Sequence, residues 1–396
     1  MKKIGCVIAY AKGHNNYGTS LQGYAMIKKI QELGYKVEVI NYEKRLSFLD
    51  KARYVINAIR VGEIKVLKKR FFSNKIQKGH PQYAGALRQR TKAVDAYKAS
   101  KLIPLFHTYV GYQALHEGSK NYDVVVVGSD QVWTPLSLPN KFFNLSFVCD
   151  SVRKVAYASS FGVSEIPAFQ QKETGEFLDR FYRIGVREQR GKEIVDSLSH
   201  QKAQVVADPT LLLSRAEWER EISEEISETT KGNKLRAEGP PYIFCYLISP
   251  NEDARRQTKK LSEKTGLPII TIRHMEQYRE IDESIGDEAP YAVDPNDFVR
   301  YISHAAYVCT DSFHCSVFSI LFHRTFMTFY RTSNQDRTNR NSRIDSLFDV
   351  MGINRDHIYA GDINKIDEAV DWEKVDYNLA QLREESLVFL KDALSR

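Results

Sequence analysis

Short β-branched runs alternate with longer stretches of helical period along almost the whole chain. In the first half, residues 4–10, 36–41, 123–127, 154–158, 182–186 and 204–207 read as strands. Between the first two, Leu21, Ala25, Met26, Ile30 and Leu33 fall on one side of a helix that Gly34 stops. After a break the rhythm restarts. A strand at 242–248 is followed by a helix to about Thr265, a strand at 269–272, a helix opening at Asp294, and strands at 307–310 and 325–329. Strands that alternate with helices in this way build parallel sheets with helices on their faces, so the fold class is α/β.

The break follows Asp208-Pro209-Thr210. Residues 217–228 form an acidic helical stretch, and 229–241 is polar, with Gly232, Gly239, Pro240 and Pro241. The expected organisation is a domain at 1–213, a linker at 214–240 and a second domain at 241–396, with a cleft between the domains. The C-terminal helix is expected to pack back. A length of 396 residues suits two domains of ordinary size.

Charge changes this picture in one place. The net charge is +7, yet residues 44–120 hold 17 Lys or Arg against 4 Asp or Glu, which leaves the rest of the chain acidic. This stretch also interrupts the strand–helix rhythm and is expected to be a helical insertion. Within it, 51–75 interleaves Tyr54, Val55, Ile56, Ile59, Val61, Ile64, Val66, Leu67, Phe71 and Phe72 with cations, the composition of a helix lying on an anionic membrane surface. A solvated hairpin with a basic outer face has the same composition. No nucleic-acid motif accompanies the charge, so no nucleic-acid partner is expected. The five cysteines are scattered, with no Cys-x-x-Cys pair, which favours a reducing compartment over disulfides or zinc. The first apolar run is too short for a signal peptide, and none approaches the roughly 18 residues of a membrane span. A cytoplasmic protein is expected, peripheral at the inner face of the plasma membrane if the basic insertion touches lipid. The 22 Tyr and 20 Phe suit either stacking on sugars or core filling.

Five segments carry residues with chemistry, each at the end of a strand, where doubly wound sheets gather ligands. The first, His14 to Gln22, offers Asn16, Tyr17 and Gln22 beside a capped helix start that favours an anion or hydroxyl. It lacks a Gly-rich dinucleotide loop. The second, Gly128-Ser129-Asp130-Gln131-Val132-Trp133, groups a carboxylate, an amide and an indole. It suits a sugar, with Asp130 as base or orienter for a hydroxyl, or it is a structural turn. In the third, Val186-Arg187-Glu188, the Arg187 guanidinium can grip a carboxylate or phosphate, or pair with a neighbouring acid. The fourth, Asp311-Ser312-Phe313-His314-Cys315, opens an apolar helix with Ser312 as cap. His314 sits in its first turn, near Asp311 and placed to move a proton. Cys315 has no support as a nucleophile beyond that histidine. The fifth, 331–343, carries Arg331, Arg337, Arg340 and Arg343 and reads as a loop able to fold over an anion, or as solvated surface. No metal-ligand cluster stands out.

In their order and spacing these segments resemble the bacterial polysaccharide pyruvyl transferases. The resemblance rests on Asn16-Tyr17-Gly18 with Leu21-Gln22, Gly128 to Trp133, Val186-Arg187-Glu188, Asp208-Pro209-Thr210, Asp311-Ser312-Phe313-His314 and Asn341-Ser342-Arg343, and spans nearly the whole chain. It implies a GT-B-like fold, two Rossmann-type domains facing a cleft. It also implies phosphoenolpyruvate as co-substrate without other cofactor, and as acceptor a hydroxyl pair on a sugar or lipid-linked oligosaccharide, closed into a cyclic pyruvate ketal. On this reading His314 and Asp130 are catalytic. Arg187, Ser312, Arg343 and Arg340 bind the donor, and Asn16, Tyr17, Gln22, Gln131 and Trp133 bind the acceptor. Relatives usually have Gly where Cys315 stands, and often Asn where Thr134 stands. Some branches place Arg-Leu ahead of the histidine where this chain has Ser312-Phe313, so the role of that Arg falls to Arg187, Arg343 or another loop arginine. Two alternatives remain open: a GT-B glycosyltransferase using a nucleotide sugar, and a non-catalytic sugar-binding or assembly protein.

Overall fold

Residues 2–10, 13–44, 48–64, 79–224, 228–331 and 341–395 are described by the structure, a computed structural model. Two parallel sheets carry it. The first contains β1 (Lys3–Val7), β2 (Lys36–Glu43), β3 (Phe106–Val110), β4 (Val124–Val127), β5 (Arg153–Ser159), β6 (Arg183–Val186) and β7 (Ala203–Val205), in the order β3-β2-β1-β4-β5-β6-β7. The second contains β8 (Ile243–Tyr246), β9 (Ile269–Thr271), β10 (Tyr307–Thr310) and β11 (Thr325–Thr328), in the order β11-β10-β8-β9. Helices cover them: α1 (Tyr17–Glu32), α2 (Phe48–Arg60), α3 (Pro81–Lys101), α4 (Tyr112–Ser119), α5 (Ala168–Leu178), α6 (Gln189–Leu198), α7 (Pro209–Leu212), α8 (Arg215–Glu224), α9 (Glu228–Ala237), α10 (Glu252–Thr265), α11 (Pro295–His304), α12 (Phe313–Leu321), α13 (Ser342–Met351) and α14 (Trp372–Ser395).

The four consecutive valines of β4 are all fully buried. A central parallel strand is covered on both faces, so it needs no polar alternation, and β-branched side chains suit it. Successive residues still serve different cores. Ile4 and Cys6 of β1 face the core that runs between the sheets, and Val7 faces the outer one. The insertion at 44–120 corrects the expectation of a purely helical segment, because Phe106–Val110 is a strand paired with β2 at the sheet edge. Only Tyr109 of this run is buried, so it lacks the apolar continuity by which the interior strands announce themselves.

One continuous core joins the two sheets. Tyr17 crosses between them: its ring stacks on Phe298 at 4.6 Å and its hydroxyl donates to the Val293 carbonyl at 3.1 Å. Arg90 of α3 is buried and donates to the carbonyls of Tyr291 at 2.7 Å and Pro290 at 3.1 Å. In the segment between the sheets, Trp218 of α8 is fully buried, 5.1 Å from Phe318. The last helix lies against the first sheet, where the Ala207 N–H donates to Ser386 Oγ at 2.8 Å and Arg383 to the Leu211 carbonyl at 2.8 Å. Among the described residues no helix is long and apolar enough to cross a membrane.

Strand order fixes where a ligand belongs. In the first sheet the chain winds outward from β1 on one side and from β4 on the other. The carboxyl ends of these neighbours therefore flank a switch point where the following loops part. The second sheet has its switch between β8 and β10. The Asn16 turn follows β1, the Asp130 turn follows β4, and the Ser312–His314 turn follows β10.

Candidate active site

The first sheet supplies a wall of paired charges. After β4 the backbone turns at Gly128, where φ is 139° and a Cβ would collide with the Tyr157 carbonyl. Gln22 accepts the Ser129 N–H at 2.9 Å and fixes this turn from α1. Asp130 follows with φ at 77°, a conformation that Asp tolerates when its side chain bonds locally. Its carboxylate accepts from the Gln131 N–H at 2.9 Å and from Thr19 Oγ1 at 2.9 Å, which bridges the switch point. Arg187, just beyond β6, donates to Asp208 Oδ2 at 3.0 Å and lies 3.7 Å from both Asp130 Oδ1 and Glu188 Oε2. Asp208 caps α7, its Oδ1 accepting from the Thr210 N–H at 3.0 Å and Oγ1 at 2.7 Å.

The second sheet supplies a wall of unspent groups. Ser312 caps α12, its Oγ 3.5 Å from the Cys315 N–H. His314 is buried in the first turn, its Nε2 3.6 Å from Asp208 Oδ2, beyond hydrogen-bond length and without any other partner. The ring lies directly on Gly18 at the start of α1, where a Cβ would overlap Nδ1. Asp311, the acid nearest in sequence, does not serve the imidazole. It accepts the Ile248 N–H at 2.7 Å and the Ser249 N–H at 2.8 Å, tying together the two loops at the switch point. Arg343, in the first turn of α13, is buried, makes no ion pair among the described residues and has an unpartnered Nε. Phe313 links the walls, with the Arg187 guanidinium 4.5 Å from its ring centroid and that of Arg343 at 5.7 Å. This chain thus holds an aromatic ring between two arginines.

Burial pushes the Asp208 carboxyl up, but His314, Arg187 and the Thr210 hydroxyl outweigh it and hold the group well below the usual carboxylate range. Asp130 is likewise held low, burial being outweighed by Arg187, His314 and the Gln131 N–H. Both carboxylates are therefore ionised at neutral pH. The two arginines diverge. Burial lowers Arg187, but Asp208, Asp130 and Glu188 carry it above its ordinary value. Arg343 is pushed down to about 9 by burial and then by the cations Arg187 and Arg331. Burial also drives the Cys315 thiol far up, which removes it as a nucleophile.

Of the residues expected at the site, Asp130, Arg187, Ser312, His314 and Arg343 come together. Asn16, half-buried, caps α1 by accepting the Thr19 N–H at 3.2 Å, and Gln131 keeps an unpartnered Nε2. Three acceptor residues are corrected. Tyr17 is spent between the sheets and Gln22 on the Ser129 turn, both fully enclosed. Trp133 donates to the Phe143 carbonyl at 3.0 Å inside a cage of Phe161, Phe177 and Phe181. Arg337 and Arg340 lie outside the described residues. Asp208 and Thr19 were not expected at the site. Asp208 had a visible signal, an Asp-Pro-Thr cap directly after a strand.

The chain is similar to three solved structures. S. aureus MnaA in complex with UDP aligns over 100% of this chain and 97% of its own, with 10% identity and a TM-score of 0.51. Anabaena HepE with UDP and glucose aligns over 100% and 98%, with 10% identity and a TM-score of 0.50. UDP-GlcNAc 2-epimerase from Neisseria meningitidis aligns over 100% and 94%, with 10% identity and a TM-score of 0.46. At such identity the likeness to the first two concerns the fold alone, which is GT-B-like, with two Rossmann-type parallel sheets facing a cleft. Nothing among the curated proteins matches the chain. The sequence profile of the polysaccharide pyruvyl transferases matches residues 16–333, which run from the N-cap of α1 past His314 and both switch points. The chain therefore belongs to the polysaccharide pyruvyl transferase family.

Proposed function

We propose that this protein moves the pyruvyl group of phosphoenolpyruvate onto two hydroxyls of one sugar in a glycan or lipid-linked oligosaccharide, releasing phosphate and leaving a cyclic ketal. One observation carries this reading: an imidazole nitrogen without a hydrogen bond lies 3.6 Å from Asp208, and the buried Arg343 guanidinium, with no counter-ion among the described residues, flanks the neighbouring Phe313. An enol phosphate needs both. Protonation of its methylene carbon makes C2 an oxocarbenium-like centre, and His314, its Nε2 3.6 Å from Asp208, is the group that delivers that proton. Arg343, the free N–H groups of Arg187 and the Ser312 turn suit the donor's carboxylate and phosphate.

The first hydroxyl oxygen bonds to C2, the bond from C2 to the phosphate oxygen breaks, and the second hydroxyl closes the ring. Of the two hydroxyl protons, one ends in the new methyl group by way of His314 and the other leaves with phosphate. Asp130, held ionised by Arg187, is a weak base. Its role here is to orient the attacking hydroxyl, with Gln131 beside it. The scheme takes phosphoenolpyruvate as co-substrate and calls on no further cofactor. Five unpaired cysteines fit a cytoplasmic setting.

Incubation with phosphoenolpyruvate and a panel of glycan acceptors tests this. Phosphate should be released in step with a new ketal methyl resonance, and His314→Ala should yield neither. MnaA and HepE were solved with UDP, so a nucleotide sugar is the competing donor. A rise in melting temperature with UDP-sugars, with none for phosphoenolpyruvate and no phosphate release, would overturn the reading.

A further inference from the structure

We infer that α2 is a docking surface for an anionic phospholipid bilayer. Four of the large hydrophobic side chains exposed on the protein fall within ten residues of one another: Val55 at 41%, Ile56 at 56%, Ile59 at 54% and Ile64 at 43%. On a helix of about 3.6 residues per turn, Val55, Ile56 and Ile59 share one stripe with Ala52. Lys51 borders that stripe on one side, and Arg53 and Arg60 border it on the other, all three exposed. The opposite face is the one the protein uses. Asn57 and Ala58 are buried there, and the acidic Asp50 of α2 falls on the same side.

An apolar stripe open to water and edged by cations along both sides is what a helix needs to lie at a lipid headgroup boundary. The isoleucines enter the acyl edge and the cations meet phosphate. A nucleic acid would match the cations but not the isoleucines. Phe169, 41% exposed at the start of α5, widens the surface, with the Arg60 guanidinium 3.8 Å above its ring.

The attachment of α2 gives this surface a purpose. Asn57 donates to the Pro135 carbonyl at 3.0 Å and accepts from Gln170 at 3.0 Å, so α2 sits on the loop that continues from Asp130 and Gln131. A protein held by this helix keeps the Asp130 end of its cleft in register with the membrane. The contact itself stands without the pyruvyl-transfer reading, and only the cargo, a lipid-linked sugar, rests on that reading.

Co-sedimentation with phosphatidylglycerol vesicles and with pure phosphatidylcholine vesicles, without substrates, tests the contact. The wild type should bind the anionic vesicles, more weakly as salt rises, and leave the neutral ones largely unbound. Ile56→Glu/Ile59→Glu and Lys51→Glu/Arg53→Glu should each weaken binding about tenfold or more. Phosphate release with a water-soluble acceptor should be unchanged in both variants, which separates this idea from the chemistry. Absence of binding to anionic vesicles at low salt, or undiminished binding by the isoleucine variant, would overturn it. So would a wild-type dimer that ignores vesicles and dissociates on the same substitution.

Discussion

Arg187 and Arg343 reach the same pocket from opposite sheets and flank one phenylalanine, yet they live in different electrostatic worlds. Arg187 stands among Asp208, Asp130 and Glu188, and its charge holds that wall together. Arg343 is as deeply enclosed, has no acid within ion-pair distance among the described residues, and is pushed down to about 9. A buried pair is strongly destabilised when one partner is removed, whereas a buried unpaired charge costs stability for as long as it stays. The difference separates two jobs. The first sheet's wall is a preformed scaffold in which opposite charges neutralise one another, although Arg187 keeps its Nε and one terminal nitrogen free of hydrogen bonds. Among the described residues, the second sheet's wall leaves His314 Nε2 and Arg343 Nε without a hydrogen bond, as a ligand requires.

The strongest test of that division is His314→Ala. The imidazole makes no hydrogen bond through Nε2, so folding should lose less than in Arg187→Leu, while turnover with phosphoenolpyruvate should fall by about 10³-fold, the range expected for a lost general acid. Donor-induced thermal stabilisation should survive. A variant that melts far below wild type would show the ring to be structural. Gly18→Ala should mimic it more mildly, because the new methyl displaces the imidazole from the start of α1.

Next in size is the pair of arginine substitutions. Arg187→Leu leaves Asp208 and Asp130 buried without their cation and should cost about 3–5 kcal/mol in urea unfolding. Arg343→Leu should be neutral or stabilising in the free protein and should abolish the thermal shift given by phosphoenolpyruvate. Equal destabilisation by both would erase the comparison.

Much of this site was legible in the sequence because its residues sit at the ends of strands, and strand ends are readable. Val124–Val127 could only be an interior strand, so Asp130 had to lie at its carboxyl end. The same logic placed Arg187 and His314. Two kinds of feature were hidden. An aromatic or amide that suits a sugar suits a core equally well, and Tyr17, Gln22 and Trp133 went to the core. Asp208 shows the second kind. Its Asp-Pro-Thr context reveals the oxygen that caps α7, but not that the other oxygen faces Arg187 and His314. Asp311 misled for the converse reason: three residues from the histidine along the chain, it turns away to hold Ile248 and Ser249.

Acid should act on the carboxylates of the paired wall. Asp130 and Asp208 have folded values below their unfolded ones. As pH falls, the unfolded chain takes up protons first. The stability these groups give is full above the unfolded carboxylate value of about 3.9 and is lost as pH drops toward the folded values. The gap in urea midpoint between wild type and Asp130→Asn should therefore narrow between about pH 5 and pH 3. A gap that stays flat over that interval would mean the charge of Asp130 is not what stabilises the turn.

The smallest effect sharpens the assignment of Asp130 as an orienting group. Thr19→Ala removes the hydroxyl that holds Asp130 Oδ2 across the switch point at 2.9 Å, while the Gln131 N–H still holds Oδ1. Loss of one such bond costs about 0.5–1.5 kcal/mol. If Asp130 aims the acceptor hydroxyl, this should appear as a severalfold rise in KM for the sugar, with KM for phosphoenolpyruvate unchanged, because Arg343 and His314 make no use of Thr19. Thr19→Ser keeps the hydroxyl and should restore wild-type values. Were the loss to fall equally on both substrates, Thr19 would be supporting the whole wall through Arg187, and Asp130 would belong to the scaffold alone.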